Sequence, residues 1–299
     1  MHSLKLVLYI FLFASSVRLI SSRSLCEIYD RHLKYYKVRD CYKSNIPVIS
    51  WTRTSNLQDC MEFTRQRNGL AFNFSPEEAS NYRNFSQNCH VLGCPETKNG
   101  ITLVADLTFD YYSAYGNLSM TENSTCIKSI GLFGLIEEKH NYNRSTEKCQ
   151  NIGAHLANVL SEIRTNHLSQ YINDTLQDWY KVAYIGLNDI NEEGNFRTLN
   201  GSKLSCFRYR AWGPGHPRSK HRNEDCVVLD SDRMWRVVKC SSKLPALCEF
   251  YPSQPLENVD FGNISYHGNS SNGQNGTCIS KQITKDLNLT IFRREYLRN

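Results

Sequence analysis

The clearest chemistry in this chain lies in one long stretch of basic side chains. From Gly194 to Asn223 there is no acid, yet Arg197, Lys203, Arg208, Arg210, Arg218, Lys220 and Arg222 are present, with His216 and His221 beside them. Tyr209 and Trp212 interleave with these cations. Guanidinium forks match the planar oxygens of sulfate and carboxylate, and a one-signed surface concentrates counter-charged ligands. The stretch therefore predicts an anionic ligand: a sulfated or carboxylated polysaccharide, an acidic protein or lipid headgroups. His216, His221 and Glu224 are zinc-ligand types, but their spacing matches no tight zinc pattern. No serine, cysteine or carboxylate pair stands in a nucleophile or acid–base context. The expectation is a binding protein and not an enzyme.

Such a loop needs a scaffold on either side. Ser145 reads as the N-cap of a helix carrying Cys149, Ile152 and Leu156. Ser161 reads as the cap of a second helix, with Ile163, Leu168, Tyr171 and Ile172 on roughly one face. Short strands are expected at Tyr184 to Leu187, Cys206 to Tyr209, Val227 to Leu229, Met234 to Val238 and Ala246 to Phe250. Trp179, Trp212 and Trp235 read as core or loop-base packing.

The order of these features carries a resemblance. Trp212-Gly213-Pro214-Gly215-His216-Pro217 is followed by Glu224-Asp225-Cys226, then Trp235, Cys240 and Leu247-Cys248. Upstream stand Cys149, Tyr184-Ile185-Gly186-Leu187 and Glu193-Gly194-Asn195-Phe196. Residues 126–251 resemble a C-type lectin-like domain, with Tyr184 where the family has a tryptophan. The resemblance implies an α+β, disulfide-rich fold of two helices, short antiparallel strands and a long loop. It implies the bridges Cys149–Cys248 and Cys226–Cys240, and it brings Arg236 close to the loop base. The ligand-binding candidates are then Arg208, Arg210, Trp212, His216, Arg218, Lys220, Arg222 and Arg236.

Sugar-binding members of that family hold a Ca²⁺ in the long loop, and calcium requires 6–8 oxygen ligands. Carried over singly, the proline between two ligands is Pro217, and its neighbours are His216 and Arg218. The acid before the loop cysteine is Glu224, and the pair after the second tryptophan is Arg236 and Val237. Three nitrogen side chains among these places would repel the ion, so no calcium is expected there. An auxiliary calcium position matches better, with Asp189, Glu193, Glu224 and Asp225 as candidates and Ser219 where another acid is usual.

The rest of the chain supplies context. The protein has 299 residues, twelve cysteines and a net charge of +6, with a mean hydropathy of −0.50. The length suits about two domains, and the cysteines predict a disulfide framework made in an oxidising compartment. Residues 1–22, basic at the start and apolar from Leu6 to Ala14, read as a secretory signal peptide, too short in its apolar part for a membrane span. Residues 26–115 hold Cys26, Cys41, Cys60, Cys89 and Cys94, a helix over Ser55 to Arg67 capped by Ser55 and stopped by Gly69, and a strand from Leu70 to Phe74. That arrangement resembles a PAN or apple domain, in which disulfides tie one helix to a small sheet. Residues 116–125 read as a linker, and 252–299 as a glycosylated, largely disordered tail. Asn73, Asn84, Asn117, Asn123, Asn143, Asn173, Asn200, Asn263, Asn269, Asn275 and Asn288 are glycosylation acceptors by sequence. Spacing does not dictate the remaining disulfides; Cys206–Cys278 and Cys26–Cys126 are two options.

The function expected is that of a secreted recognition glycoprotein, binding an acidic or sulfated glycan or an extracellular protein, with no nucleic acid partner and no cofactor. Two alternatives stay open. One is a lectin that uses the auxiliary calcium, and the other is an adhesive glycoprotein of extracellular matrix or cuticle.

Overall fold

The structure is a computed structural model that describes residues 33–76, 86–97, 100–116, 124–177, 179–218 and 223–254. The expected signal peptide, Cys26, Cys278, Ser219, Lys220, His221, Arg222, most of the expected linker and nearly all of the expected tail lie outside the described residues. The described chain forms two compact units, one of residues 33–139, 143–157 and 245–254 and one of residues 140–142 and 158–244.

The first unit begins with strands β1 (Tyr36–Arg39), β2 (Tyr42–Ser44) and β3 (Val48–Thr52), helix α1 (Leu57–Gln66), β4 (Ala71–Phe74), β5 (Cys89–Leu92), β6 (Leu103–Ala105) and β7 (Asp110–Ser113). Five of these make a sheet in the order β1-β7-β4-β5-β3, and β2 pairs with β6. The pairings are antiparallel, with Phe72 opposite both Val91 and Tyr112. The side chains of β4 and β7 are buried throughout, so this sheet carries the core of the unit. Cys60 in α1 is bridged to Cys89 in β5.

Local chemistry corrects two readings of that helix. Asn56, not Ser55, is its cap: the Asn56 side chain accepts from the Asp59 N–H at 2.9 Å, satisfying one of the donors a helix start leaves open. Gly69 matters less as a stop than as a close approach. A Cβ there would lie 2.4 Å from Val91 Cγ1 and 2.7 Å from Thr64 Cγ2.

The same unit continues through β8 (Thr125–Ile127), which pairs with β9 (Gly131–His140), and through β10 (Ala154–Leu156), which pairs with β15 (Leu244–Phe250). Cys94 is bridged to Cys126, which removes the Cys26–Cys126 option. Ser129 N donates to Gly93 O at 2.8 Å, and Gly116 N donates to Ser253 O at 2.6 Å. Cys149, in helix α2 (Tyr142–Asn151), is bridged to Cys248 in β15.

The residues near α2 depart from expectation. The helix starts at Tyr142, so Ser145 lies inside it, fully buried, and does not cap it. Leu156 belongs to β10, and Ile152 lies past the helix end, partly exposed. One glycosylation acceptor also fails. Asn73 is buried in β4, where its amide accepts from Ser44 N at 2.8 Å and donates to Ser44 O at 3.0 Å. A side chain held this way has no room for a glycan, whereas Asn143, Asn173 and Asn200 are exposed.

The second unit holds α3 (Glu162–Thr175), β11 (Val182–Asn188), β12 (Arg197–Thr198), a 3₁₀ turn (Leu204–Cys206), β13 (Cys226–Asp230) and β14 (Trp235–Val238). Ser161 caps α3 by accepting from Arg164 N. Leu168 and Ile172 are buried on its inner face, but Ile163 is exposed. The order β14-β13-β11 is antiparallel, and β12 pairs with the end of β11. The strand expected from Cys206 to Tyr209 is absent: Phe207 N donates to Leu204 O, closing a turn instead. Tyr184 is fully buried, and its hydroxyl lies 3.1 Å from Lys239 O and 2.9 Å from Ser242 O.

Candidate functional site

The long loop leaves the sheet after β12 and returns at β13. Its base is aromatic. Trp235 is fully buried in β14, and Trp212 meets it edge-on, ring centroids 5.4 Å apart and planes at 89°. Tyr209 packs on Trp235 at 5.7 Å and Phe196 on Trp212 at 4.9 Å. Backbone bonds lock the return: Trp235 N donates to Ala211 O at 2.7 Å and Gly213 N to Trp235 O at 3.0 Å. Trp212 and Trp235 are thus loop-base packing, as their types predict. The Cys226–Cys240 bridge links β13 to the segment after β14.

Several of the cations hold this loop together. Arg210 donates to three carbonyls, Phe207 O at 2.7 Å, Tyr209 O at 2.7 Å and Leu204 O at 2.8 Å. Arg236 gives its Nε–H to Asp230 Oδ2 at 2.6 Å, and Asp230 Oδ1 also accepts from Met234 N at 2.8 Å. Asp230 is 3% exposed, so this pair is a charge-assisted bond in a dry place. The bond to Asp230 holds the Arg236 guanidinium above its ordinary pKa. Arg197 reaches Gly201 O and lies 3.6 Å from Glu192. Arg208 is exposed. Arg218, with 47% of its side chain exposed, lies 3.8 Å from Glu224 Oε2.

Two of these cations, Arg218 and Arg236, wall an open cavity of ≈ 360 Å³ together with Tyr180, His216, Glu224 and Lys239. The His216–Pro217 bond is cis, and His216 Nδ1 accepts from Val237 N at 3.1 Å. Burial, then the Arg218 and Arg236 charges, push the His216 pKa below its ordinary value. The ring is therefore neutral at pH 7, and its remaining proton sits on Nε2 as a donor. Glu224 Oε2 is buried and has no hydrogen-bond partner among the described residues. A second cavity, of ≈ 190 Å³, is lined by Phe196, Lys203, Arg210, Trp212 and Pro217, among others. Sequence reasoning singled out His216, Arg218 and Arg236 as ligand-binding candidates and Glu224 as a calcium ligand, and all four line the first cavity. It missed Tyr180 and Lys239, which lie far from the loop in sequence and are brought in by β11 and β14.

This wall does not fit the family's loop calcium. Where oxygens are needed it presents an imidazole nitrogen already bonded to a backbone N–H, and two guanidinium groups. Of the auxiliary acids, Glu193 and Asp225 lie near enough to Asp189 for their charges to act on it. Among the described residues no three His, Cys, Asp or Glu side chains are grouped to hold a metal ion. Asp189 instead serves the hairpin after β11: its Oδ2 accepts from Gly194 N at 2.8 Å, where Gly194 adopts φ +77°.

Asp189 is also strained electrostatically. It is 4% exposed, and its Oδ1 has no partner among the described residues. Burial, then the Glu193 and Asp225 charges, raise its pKa to about 6, against the opposing Gly194 N–H bond. The folded state therefore binds more protons than the unfolded state between about pH 4 and 6. Stability falls as pH rises through that window. Asp189→Asn keeps an acceptor for Gly194 N without the charge, so it is expected to raise stability at pH 7 by about 1–3 kcal/mol. Urea unfolding from pH 4 to 8 tests this, and an unchanged pH dependence in the variant would refute it.

One tryptophan contradicts its expected role. Trp179 is 96% exposed and meets the Tyr180 ring, with centroids 5.7 Å apart.

Comparison with known proteins follows this geometry. Residues 138–250 match the family model described as Lectin C-type domain. The chain is 30% identical over 116 residues to Collectin-11 of Danio rerio, covering 39% of this chain and 41% of that protein. It is 35% identical over 102 residues to Mannose-binding protein of Gallus gallus, covering 34% and 37%. It is 33% identical over 102 residues to the Low affinity immunoglobulin epsilon Fc receptor of Mus musculus, covering 34% and 28%. The chain thus spans at most about two fifths of these relatives. Among solved structures, human lithostathine aligns over 44% of this chain and 89% of its own, at 25% identity and a TM-score of 0.39.

Proposed function

We propose, from a chain that carries a C-type lectin domain over residues 138–250, a secreted recognition protein that binds an anionic glycan without a calcium ion in its loop. One observation carries this reading: His216, Arg218, Arg236 and Lys239 wall a single cavity against one acid, Glu224. Its volume of ≈ 360 Å³ lies in the range of ligand pockets, about 300–1,000 Å³. The printed names of the relatives include a mannose-binding protein and an immunoglobulin receptor, so saccharide and protein ligands are both in view. The charge of the cavity favours the anionic saccharide. Nothing in it resembles a catalytic constellation, and we read the protein as a binder.

The finer reading of the N-terminal region as a PAN/apple-like module is supported by one helix tied to an antiparallel sheet through Cys60–Cys89. Secretion is supported by the oxidised cysteines, none of which is free among the described residues. No helix among the described residues is long and apolar enough to cross a membrane.

A glycan array with sulfated and uronic-acid members, run in calcium and in chelator at low and high salt, tests the reading. Binding that ignores chelator and fades with salt is expected. The triple replacement of Arg218, Lys220 and Arg222 by serine should weaken binding to sulfated glycans at low salt by about ten-fold or more. Binding abolished by chelator would bring Asp189, Glu193, Glu224 and Asp225 back as calcium ligands. Self-association without glycan binding would favour the adhesive matrix role.

A further inference from the structure

We propose that Trp179 and Tyr180 form the apolar platform of this site, on which one ring of an acidic saccharide stacks while its carboxylate or sulfate meets Arg218 and Arg236. The inference rests on the function proposed above and deepens it. Tyr180 is itself part of the wall of the ≈ 360 Å³ cavity. Trp179 extends that wall outward, its ring 5.7 Å from Tyr180 and tilted by 39°. Single exposed apolar side chains are ordinary, but here two adjacent aromatics stand exposed at the rim of a cationic cavity.

The segment that presents them is anchored at its end. Lys181 Nζ donates to Asn173 O at 2.5 Å, and Ser231 N donates to Lys181 O at 3.0 Å. The aromatic pair is therefore held between the end of α3 and the start of β11. Exposing so much of a tryptophan forgoes the favourable burial of a large apolar side chain, and Tyr180 is the one ring it meets among the described residues.

The chemistry of the wall is that of a saccharide with an acidic substituent. A pyranose ring has a C–H face for the aromatics and a hydroxyl edge. Arg236 uses its Nε–H on Asp230 and directs Nη2 at Met234 Sδ, 4.0 Å away, which leaves the Nη1 hydrogens for an anionic oxygen. Arg218 adds a second fork, and His216 Nε2–H a neutral donor. Glu224 Oε2, buried, 3.8 Å from Arg218 and without a hydrogen-bond partner among the described residues, is an acceptor for a hydroxyl. A bare inorganic anion would leave the aromatics uncovered.

Calorimetric titration of the full-length protein with a heparin-derived tetrasaccharide tests the platform, using wild type, Trp179→Ala, Tyr180→Ala and Arg218→Gln. The exposed aromatics can be removed without disturbing the core. Trp179→Ala is expected to weaken binding about ten-fold, with the salt dependence unchanged. Arg218→Gln should weaken binding and flatten the salt dependence. In parallel, the tetrasaccharide should shield tryptophan emission from acrylamide in wild type but not in Trp179→Ala. If both aromatic variants bind like wild type while Arg218→Gln does not, the platform is wrong and the cationic site stands. If wild type binds no acidic saccharide, both readings fall. If a sulfotyrosine peptide binds in a Trp179-dependent way and the tetrasaccharide does not, the ligand class assigned here is wrong.

Discussion

Replacing Cys149 and Cys248 together with alanine is expected to lower stability by about 2–5 kcal/mol. The two cysteines are 99 residues apart and fully buried. Closing a loop of about 100 residues restricts the unfolded chain by about 4.7 kcal/mol on the chain-entropy account. The Cys226–Cys240 bridge spans a separation of only 14, for which the same account yields about 3 kcal/mol. The long bridge should therefore be the costlier to lose. It joins α2 to β15, so the termini of the segment containing the binding loop are covalently held together. Urea unfolding of both double-alanine proteins, without reductant, provides the comparison. A loss below about 1 kcal/mol for the Cys149/Cys248 pair would show that packing alone holds these elements.

Arg236→Met is expected to cost about 3 kcal/mol and to abolish anion binding in the same protein. The substitution keeps apolar bulk but strands the Asp230 carboxylate, which would retain only the Met234 N–H bond. Removing one partner of a buried pair typically costs about 3–5 kcal/mol, because the other charge stays desolvated. Arg236 has 28% of its side chain exposed, which places the effect at the lower end. Asp230→Asn removes the charge that needs Arg236 and should be milder. The double variant should then be more stable than the sum of the singles predicts, by an interaction of about 0.5–3 kcal/mol. A fully additive cycle would mean that the 2.6 Å contact contributes nothing. Glycan binding by the folded double variant separates the two roles of Arg236, since restored stability does not restore its terminal nitrogens.

Much of the lectin-like scaffold is legible from residue order alone. The cap at Ser161, the apolar runs at β11 and β13, and the aromatic and cysteine positions around the loop depend on local chemistry and spacing. Misreadings occurred where a side chain's role depends on what faces it. Asn73 looks like a glycan acceptor until the backbone of Ser44 takes both ends of its amide. Ser145 has the right type for a cap, but the helix begins three residues earlier. Trp179 looks like core because tryptophan usually is, but α3 ends before it and β11 begins after it.

The sequence by itself determined that the loop is cationic and that the chain is rich in cysteine, because composition and spacing are properties of the chain alone. Only the tertiary structure decided which cations remain available. Arg210 is consumed by three loop carbonyls and Arg236 is partly consumed by Asp230, while Arg218, half-exposed and 3.8 Å from Glu224, lines the same cavity as Tyr180. The physical reason is that a guanidinium's use is set by the acceptors nearest to it, and those acceptors come from strands and turns distant in sequence.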